Sequence, residues 1–285
     1  MEHLEPGEQS VQSNMPRQLL LFVASLLFSF GASAAPAAEP WDRWTAHQSA
    51  SAATIDHAAW DALLKKYLVP AEQGLNRFRY GGVSPADKKA LADYLDRLQA
   101  LRIDAYNRAE QRAYWINLYN ALTVKVVLDR YPVTSIREIK LGGVFSGGPW
   151  GKKLLRVEDE DLSLDDIEHR ILRPLWKDPR MHYAVHCASV GCPNLSTTAY
   201  SAVNFDELAE AGARAYVNSS RGARIENGAL EISSIYSWFK VDFGGSDAGV
   251  IAHLRRYAEP ALAARLESIT RIGGDSYDWS LNDAR

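Results

Sequence analysis

The feature that most constrains the fold is a long helical run from Asn107 to Arg130. Its first turns are polar, and the rest is apolar on almost every side until Pro132, which cannot continue a helix. A helix that is apolar all round is normally enclosed by protein, so we expect it at the centre of the core. The amides of Asn117 and Asn120 fall inside this run, and buried amides need hydrogen-bond partners. We predict a structural polar network around them, with a functional role as the alternative.

Shorter helices and strands are predicted around this helix. Two capping boxes begin helices at Ser84 and Ser163, and the second helix is expected to end before Pro174. The segment 181–189 is short, alternates in polarity and lies between a proline and a Gly-Cys-Pro turn, which is typical of a strand. An Asn-Gly pair at residues 227–228 predicts a hairpin turn.

These patterns predict an α+β fold. We expect a single domain over residues 55–273, in which the buried helix, at residues 112–130, packs against a small, mainly antiparallel sheet that contains residues 182–188. Residues 35–54, rich in Ala, Ser and Pro, are predicted to be a linker, and residues 274–285 a C-terminal tail. With 47% hydrophobic and 24% charged residues, the composition is that of an ordinary globular protein.

The N-terminus has the features of an exported precursor. Residues 19–32 carry no charge, follow Arg17 and lead into Ala-Ser-Ala at residues 32–34, the pattern after which signal peptidase cleaves. Since the run is shorter than the roughly 20 residues that span a bilayer, we predict a leader and cleavable signal peptide over residues 1–34 and no membrane span after cleavage at Ala34. The acidic stretch before Met15 indicates that translation begins there. The expected location is the periplasm or the secreted fraction.

The charge of the remaining chain argues against one class of partner. Cleavage would remove three glutamates and one arginine from 35 acidic and 32 basic side chains, which leaves a formal charge of −1. Because no basic excess remains to attract phosphates, we predict no nucleic-acid partner and expect an unidentified small-molecule or peptide ligand. The glycine-rich loop at residues 141–151 lacks the Gly-Lys-Ser/Thr ending of a phosphate-binding loop, and no motif indicates a cofactor.

The only two cysteines, Cys187 and Cys192, lie close together in a chain predicted to enter an oxidising compartment. A turn between them could bring their Cα atoms within the roughly 4.4 to 6.8 Å that a disulfide requires. Three states of Cys187 stay open: a disulfide with Cys192, a buried reduced thiol, and a catalytic thiolate, which needs a base or a positive environment. A thiol redox role is disfavoured because the spacing is Cys-x4-Cys and not Cys-x-x-Cys.

Histidines are the candidate bases for Cys187. Adjacent side chains on a strand point to opposite faces, so His186 would face away from Cys187. His169, on the preceding helix, is the better candidate, and we predict a contact between it and Cys187. On a strand, His182 and His186 would be on the order of 13 Å apart, so we predict no metal site.

Acidic residues flank these histidines. Glu168 or Asp178 is the candidate to orient the base. Asp178, which precedes a proline, is expected to begin a turn, and Arg180 can hold a carboxylate in its fork. A structural salt bridge between them is the simpler interpretation.

Four stretches resemble the family known as domain of unknown function 547. They are AYWINLYNALTVKVVLDRYPVTSI at residues 113–136, SLDDIEHRILRP at 163–174, DPRMHYAVHCASVGCPNL at 178–195 and WFKVDFG at 238–244. They occur in the family's order and extend over most of residues 55–245. The resemblance implies kinship without an established reaction, since the family is named for lacking one. One position departs from it, because the residue before Cys187, often Asn in the family, is His186 here.

The leading functional hypothesis is a thiol-dependent hydrolase or acyltransferase. Cys187 would be the nucleophile and His169 or His182 the base. In papain-like and transglutaminase-like folds a strand histidine packs against the helix that bears the nucleophile; by that analogy His182 is the strand histidine, although the helix offers Asn117 and no cysteine.

The competing hypothesis is a non-catalytic binding or assembly module, in which Cys187 and Cys192 form a structural disulfide. Four aromatic residues and the glycine-rich loop would then form a recognition surface. The aromatic residues are Trp115, Trp150, Tyr236 and Trp238.

Overall fold

The computed structural model describes residues 1, 3, 36–71, 74–141 and 147–284. The predicted signal peptide and the centre of the glycine-rich loop therefore lie outside the described residues. One compact unit spans Ala35–Arg285. Within the described ranges, no helix has the length and apolar character to cross a membrane.

Helices are the main regular elements of this unit. In chain order they are α1 (Ala58–Tyr67), α2 (Pro85–Gln99), α3 (Arg108–Leu128), a π-helix (Asp166–Leu172), α4 (Arg173–Trp176), α5 (Met181–Ala184), α6 (Phe205–Val217), α7 (Ser234–Trp238), α8 (Asp247–Tyr257) and α9 (Pro260–Leu266). Short 3₁₀ turns lie at Asp42–Thr45, Tyr80–Gly82, Ile103–Ala105, Ile136–Glu138 and Lys240–Phe243.

The strands form three small sheets in the described part of the chain. They are β1 (Leu68–Val69), β2 (Arg77–Phe78), β3 (Leu155–Val157), β4 (Glu160–Leu162), β5 (Ala223–Glu226), β6 (Ala229–Ser233) and β7 (Ile272–Ser276). Strands β1 and β2, β3 and β4, and β5 and β6 pair antiparallel, and β7 joins β6 in parallel. The predicted α+β class is confirmed.

Helix α3 is the buried helix that the sequence predicts. The side chain of Asn107 caps it by accepting hydrogen bonds from the N–H groups of Ala109 and Glu110. Nearly all of its side chains are buried, and it packs against α2 and the π-helix. The core around α3 is therefore formed mainly by helices, and buried residues of β3 and β4 also belong to it, namely Leu155, Val157 and Leu162.

The predicted strand at residues 182–188 is wrong. Met181–Ala184 is the single-turn helix α5, and the chain beyond it makes only an isolated bridge, between Ser189 and Leu281. Asn120 of α3 takes the place of a pairing strand: its amide donates to the Ala184 carbonyl at 2.9 Å and accepts from the His186 N–H at 2.8 Å. Every side chain from residue 181 to 186 is buried, so the alternating pattern does not reflect a sheet face.

The capping box at Ser163 is confirmed, since its hydroxyl accepts from the Asp166 N–H and the Asp166 carboxylate accepts from the Ser163 N–H. The helix that follows is a π-helix, and it passes directly into α4. Its predicted end before Pro174 is wrong, because Pro174 lies at the start of α4, where a missing N–H costs little. Wide π-turns of this kind often occur at functional sites.

The segments predicted to be a linker and a tail both lie against the domain. Before α1, Trp44 is 3% exposed and packs edge-on against Trp115 with ring centroids 5.0 Å apart. After β7, Leu281 is buried and donates its N–H to the Thr134 carbonyl. Both segments therefore contribute to the core, and the second also contributes to the site described next.

Candidate thiol site

Three side chains meet around the sulfur of Cys187, and with Cys187 itself we call them the thiol cluster: Cys187, Ser189, Cys192 and Tyr277. The two sulfur atoms are 3.0 Å apart and unbonded. The Ser189 and Tyr277 hydroxyls each lie 3.0 Å from the Cys187 sulfur and 2.8 Å from each other. The sulfur of Cys187 is thus surrounded by three neutral groups that can each donate a hydrogen bond to a thiolate.

The backbone turns sharply just after Cys187. Ala188 has φ of 61°, in the left-handed region, although it carries a Cβ and is fully buried. Such a conformation costs roughly 1–2 kcal/mol, so the surrounding hydrogen bonds must impose it. One of them runs from the Asn282 N–H to the Ala188 carbonyl at 3.1 Å.

The segment after β7 hydrogen-bonds to this turn and places Tyr277 beside the Cys187 sulfur. Val190 and Gly191 each donate an N–H at 2.7 Å, to the carbonyls of Ser280 and Asp278. A Cβ on Gly191 would lie 2.8 Å from the Asp278 nitrogen, so only glycine allows this close approach. On the other side, the Arg221 guanidinium donates to the Val190 and Cys192 carbonyls.

The two thiols have opposite pKa shifts. Burial raises the pKa of Cys187, but the hydrogen bonds from Cys192, Ser189 and Tyr277 outweigh burial and lower that pKa overall. Burial raises the pKa of Cys192 well above its usual value, and the hydrogen bond and negative charge of Cys187 raise it further. Cys187 is partly exposed, whereas Cys192 is 4% exposed. Cys187 is therefore the thiol that ionises first and that a reagent reaches first.

A second group of side chains lies next to α5, and we call it the histidine cluster: Glu168, His169, Arg173, His182 and Asp242. The Asp242 carboxylate accepts hydrogen bonds from Nε2 of His182 at 2.7 Å and from Nε of Arg173 at 2.6 Å. Burial alone would raise the pKa of Asp242, but these two partners lower it to about 2. The ring of Phe239 covers the group and stacks on His182 with centroids 4.6 Å apart.

His169 and Glu168 complete the histidine cluster. Nδ1 of His169 accepts from Arg173 at 3.0 Å, so its proton is on Nε2, which lies 3.8 Å from Asp165. Burial lowers the pKa of His169, which keeps the ring neutral near pH 7. Glu168 accepts from the Tyr119 hydroxyl at 2.9 Å and lies 3.9 Å from Nδ1 of His182.

No histidine in the described part of the chain hydrogen-bonds to Cys187. The predicted contact with His169 is not observed, because its Nδ1 is bound to Arg173. His182 is bound to Asp242 and lies on α5, not on a strand. Glu168 lies close enough for its charge to raise the pKa of Cys187, which is the opposite of activation.

His186, the residue that departs from the expected asparagine, is 1% exposed. Its Nδ1 lies 2.7 Å from the Pro193 carbonyl and so donates to it. Burial lowers its pKa to about 4, so the ring is neutral at pH 7. His186 therefore fastens the turn between the two cysteines and does not reach the thiol.

Residues 103–217 match the family described as "Protein of unknown function, DUF547". The chain contains a DUF547 domain. No curated protein and no solved structure matches the chain. The match includes both cysteines, the π-helix and α5, whereas Asp242 and Tyr277 come from outside it. The residues that flank the DUF547 match therefore complete both clusters.

Two asparagines of the DUF547 match hold backbone in place. Asn117 donates to the Tyr200 carbonyl at 2.7 Å and accepts from the Tyr200 N–H at 3.0 Å. Asn120 binds the backbone on either side of Val185 in the same two-sided way. Each amide thus uses one donor and one acceptor to hold backbone, and these bonds go to residues outside the thiol cluster.

Asp178 and Arg180 form a fork before α5. The Asp178 carboxylate accepts from Nε of Arg180 at 3.0 Å and from its terminal nitrogen at 2.7 Å. The same arginine also pairs with Asp206 at 2.9 Å. Burial would raise the pKa of Asp178, but Arg180 lowers it. The pair fixes the entry to α5 and does not orient a histidine.

The predicted aromatic recognition surface is half wrong. Trp115 and Tyr236 are 1% and 0% exposed and belong to the core, because apolar neighbours surround both. Trp150 and Trp238 do reach the surface, where they meet Tyr277 and Trp279. We call these four the aromatic platform: Trp150, Trp238, Tyr277 and Trp279.

Sequence reasoning missed three of the residues that complete the two clusters and the platform: Tyr277, Trp279 and Asp242. Tyr277 and Trp279 lie in the predicted tail, with no local pattern to mark them. Asp242 does lie in the WFKVDFG stretch, and that stretch was the available signal.

Among the described residues, no group of three or more His, Cys, Asp or Glu side chains is arranged to hold a metal ion.

Proposed function

We propose that Cys187 and Cys192 are a redox-active dithiol that exchanges with disulfides. The observation that carries the proposal is the pair of sulfur atoms 3.0 Å apart, one with a lowered pKa and the other with a raised pKa. An attacking thiol must be ionised and accessible, whereas the thiol that resolves the intermediate must be close and can stay protonated until then.

The exchange takes place in two balanced steps. The Cys187 thiolate attacks one sulfur of a substrate disulfide, the substrate S–S bond breaks, and one half leaves as a thiolate that takes up a proton. Cys192 then loses its proton and attacks the Cys187 sulfur, which forms the internal disulfide and releases the second half as a thiol. Two electrons pass from the dithiol to the substrate.

The thiol cluster supplies what the first step needs. The Ser189 and Tyr277 hydroxyls stabilise the Cys187 thiolate without a positive charge, since each lies 3.0 Å from its sulfur. For the second step the sulfurs must close from 3.0 Å to the roughly 2.05 Å of a disulfide bond, which side-chain rotation can supply.

A thiol-dependent hydrolase or acyltransferase is the second candidate, favoured by the lowered pKa and partial exposure of Cys187. It needs a base on the thiol, and both candidate histidines have their hydrogen bonds directed to Arg173 and Asp242. A papain-like arrangement and a permanent disulfide in a binding module stay predictions, which the reaction with dithiobis(nitrobenzoate) also addresses.

We also propose export through the N-terminal signal, because residues 19–32 are uncharged and lead into the Ala-Ser-Ala pattern at residues 32–34. Fractionation of cells that express the full chain tests this, with cleavage after Ala34 read from the mature N-terminus. Recovery of uncleaved protein in the cytoplasm would contradict it.

The reaction of reduced protein with dithiobis(nitrobenzoate) tests the dithiol. We expect the wild type to release two thionitrobenzoate molecules per protein and to end as the internal disulfide. Cys192→Ser is expected to release one and to keep the adduct on Cys187, whereas Cys187→Ser reacts far more slowly. Stable adducts on both wild-type cysteines would overturn the proposal, and hydrolysis of nitrophenyl esters that needs Cys187 but not Cys192 would favour the hydrolase.

A further inference from the structure

The aromatic platform adjoins the thiol cluster through a shared residue. Tyr277 touches the Cys187 sulfur with its hydroxyl, and its ring lies 4.9 Å from Trp238 and 4.6 Å from Trp279. Trp238 and Trp279 stack at 5.6 Å with 24° between their planes, and Trp150 meets Trp279 edge-on at 5.6 Å. A ligand on these rings would therefore lie beside the reactive sulfur.

All four residues of the platform are at least partly exposed. Trp238 is 38% exposed, and Trp150, Tyr277 and Trp279 are partly exposed. The exposed guanidinium of Arg137 lies over the Trp279 ring, 5.1 Å from the ring centroid. Trp, Tyr and Arg are the residues that contribute most to binding energy at protein interfaces, and here they are contiguous.

A groove runs along the same surface. It has a volume of about 540 Å³ and is lined by Thr134, Ser135 and residues 276–280. That volume is within the range of ligand sites, but the groove is open to solvent along its side and does not enclose a small molecule. An open groove beside exposed rings fits an extended chain whose side chains rest on the rings.

We propose that the aromatic platform docks an extended peptide segment that carries the disulfide exchanged by Cys187. This inference rests on the proposed function, because it names the substrate class of the same thiols. The peptide places an apolar side chain on Trp238 and Trp279 while its disulfide reaches the Cys187 sulfur past Tyr277. The partner is therefore a protein or peptide disulfide and not a small free disulfide.

The test compares two disulfides on the reduced protein. One is dithiobis(nitrobenzoate), and the other is a short linear peptide with a phenylalanine beside its single cysteine, blocked as the mixed disulfide with thionitrobenzoate. We expect Trp238→Ala to lower the peptide-to-reagent ratio of rate constants about tenfold, as loss of an aromatic contact does, and Arg137→Gln to lower it less. Trp176→Ala, which removes a partly buried tryptophan outside the platform, is the matched control.

The outcomes separate the inference from the proposed function. An unchanged ratio in Trp238→Ala overturns peptide docking and leaves the exchange intact, whereas a wild type in which Cys187 reacts with neither disulfide refutes the exchange itself. In that case, binding of the serine analogue of the peptide, followed by tryptophan fluorescence, still tests docking: saturable binding weakened by Trp238→Ala supports it, and no binding overturns it. Dimerisation lost in Trp238→Ala would assign the platform to a second copy and overturn the proposal.

Discussion

The thiol cluster and the histidine cluster are near neighbours that are built in opposite ways. In the histidine cluster, Arg173 is a charged group with a 2% exposed side chain, and its hydrogen bonds go to partners inside the protein. In the thiol cluster the partners of Cys187 are neutral, and Cys187 as a whole is partly exposed. The histidine at residue 182 and the cysteine at residue 187 are close in sequence, yet they belong to different clusters.

The two clusters therefore differ in the charge of the groups that hold the titratable side chain, which is an ion pair in one and neutral donors in the other. A buried ion pair costs desolvation and then locks its partners, because breaking it leaves an unpaired charge. Neutral hydroxyls cost less to bury and still stabilise a thiolate. We therefore expect changes in the histidine cluster to affect folding most, and changes in the thiol cluster to affect reactivity most.

Asp242→Asn is expected to have the largest effect. It leaves the buried Arg173 guanidinium without a charged partner, so we expect the free energy of unfolding in urea to fall by about 3 kcal/mol. Asp93→Asn is the matched control, because it breaks the exposed Lys89–Asp93 pair, where the loss is about 0.5 kcal/mol. Equal losses in the two variants would mean that the histidine cluster does not support the fold.

Gly191→Ala disturbs the thiol cluster through its backbone. The added Cβ would lie 2.8 Å from the Asp278 nitrogen, so the two segments must separate, at a cost of about 1–3 kcal/mol in urea unfolding. Gly147→Ala is the control, since no atom lies within 4 Å of the Cβ it would add. A Gly191 variant as stable as its control would show that the close approach is not required.

Tyr277→Phe is expected to change reactivity more than stability. Loss of the hydroxyl removes one of the groups that lower the Cys187 pKa, so that pKa rises and less thiolate is present at neutral pH. One hydrogen bond of about 1 kcal/mol corresponds to a roughly fivefold slower alkylation by iodoacetamide, with the pH profile displaced upwards. Tyr114→Phe is the control, because it loses a buried hydroxyl that donates to the Leu98 carbonyl and not to the thiol cluster, and should leave the pH profile unchanged. An upward displacement of the profile in both variants would contradict a specific role for the Tyr277 hydroxyl.

Asp165→Asn is expected to have the smallest effect. Burial raises the pKa of Asp165 to about 6, with Glu168 and Asp166 adding to it, so the folded chain binds this proton more tightly than the unfolded chain. Its contribution to stability is therefore present at pH 4 and is lost as the pH rises through 6. Because the side chain is 41% exposed, we expect the variant to gain less than about 1 kcal/mol at pH 7.5 and nothing at pH 4. A gain at both pH values would contradict this assignment.

Local signals explain what the sequence could predict of the fold. The cap at Ser163 and the buried helical run that starts at Asn107 depend on residues adjacent in sequence, and the structure has both where the patterns predict them. The strand prediction for residues 181–189 is wrong because a helical turn that is buried on all sides has no hydrophobic period that distinguishes it from a buried strand. The hydrogen bonds that decide its structure come from Asn120, on α3.

The candidate site was only partly predictable for a similar reason. Both cysteines and the histidines were evident from their chemistry, but their partners depend on contacts between distant segments. Tyr277 reaches Cys187 through the backbone pairing of the segment after β7, and no nearby residue signals that pairing. His182 is held by Asp242, from a turn after α7.

The most direct test of the central claim is to equilibrate the protein in glutathione buffers of graded potential and to map alkylated thiols by mass spectrometry. If Cys187 and Cys192 are a reversible dithiol, both thiols disappear together in one two-electron transition, the protein loses two hydrogens, and reduction restores both. Cys187 should also be alkylated before Cys192 in the reduced protein, because its pKa is the lower one. A Cys187 thiol that persists in every oxidising buffer, or a Cys187–Cys192 disulfide that survives every reducing buffer, would contradict the claim.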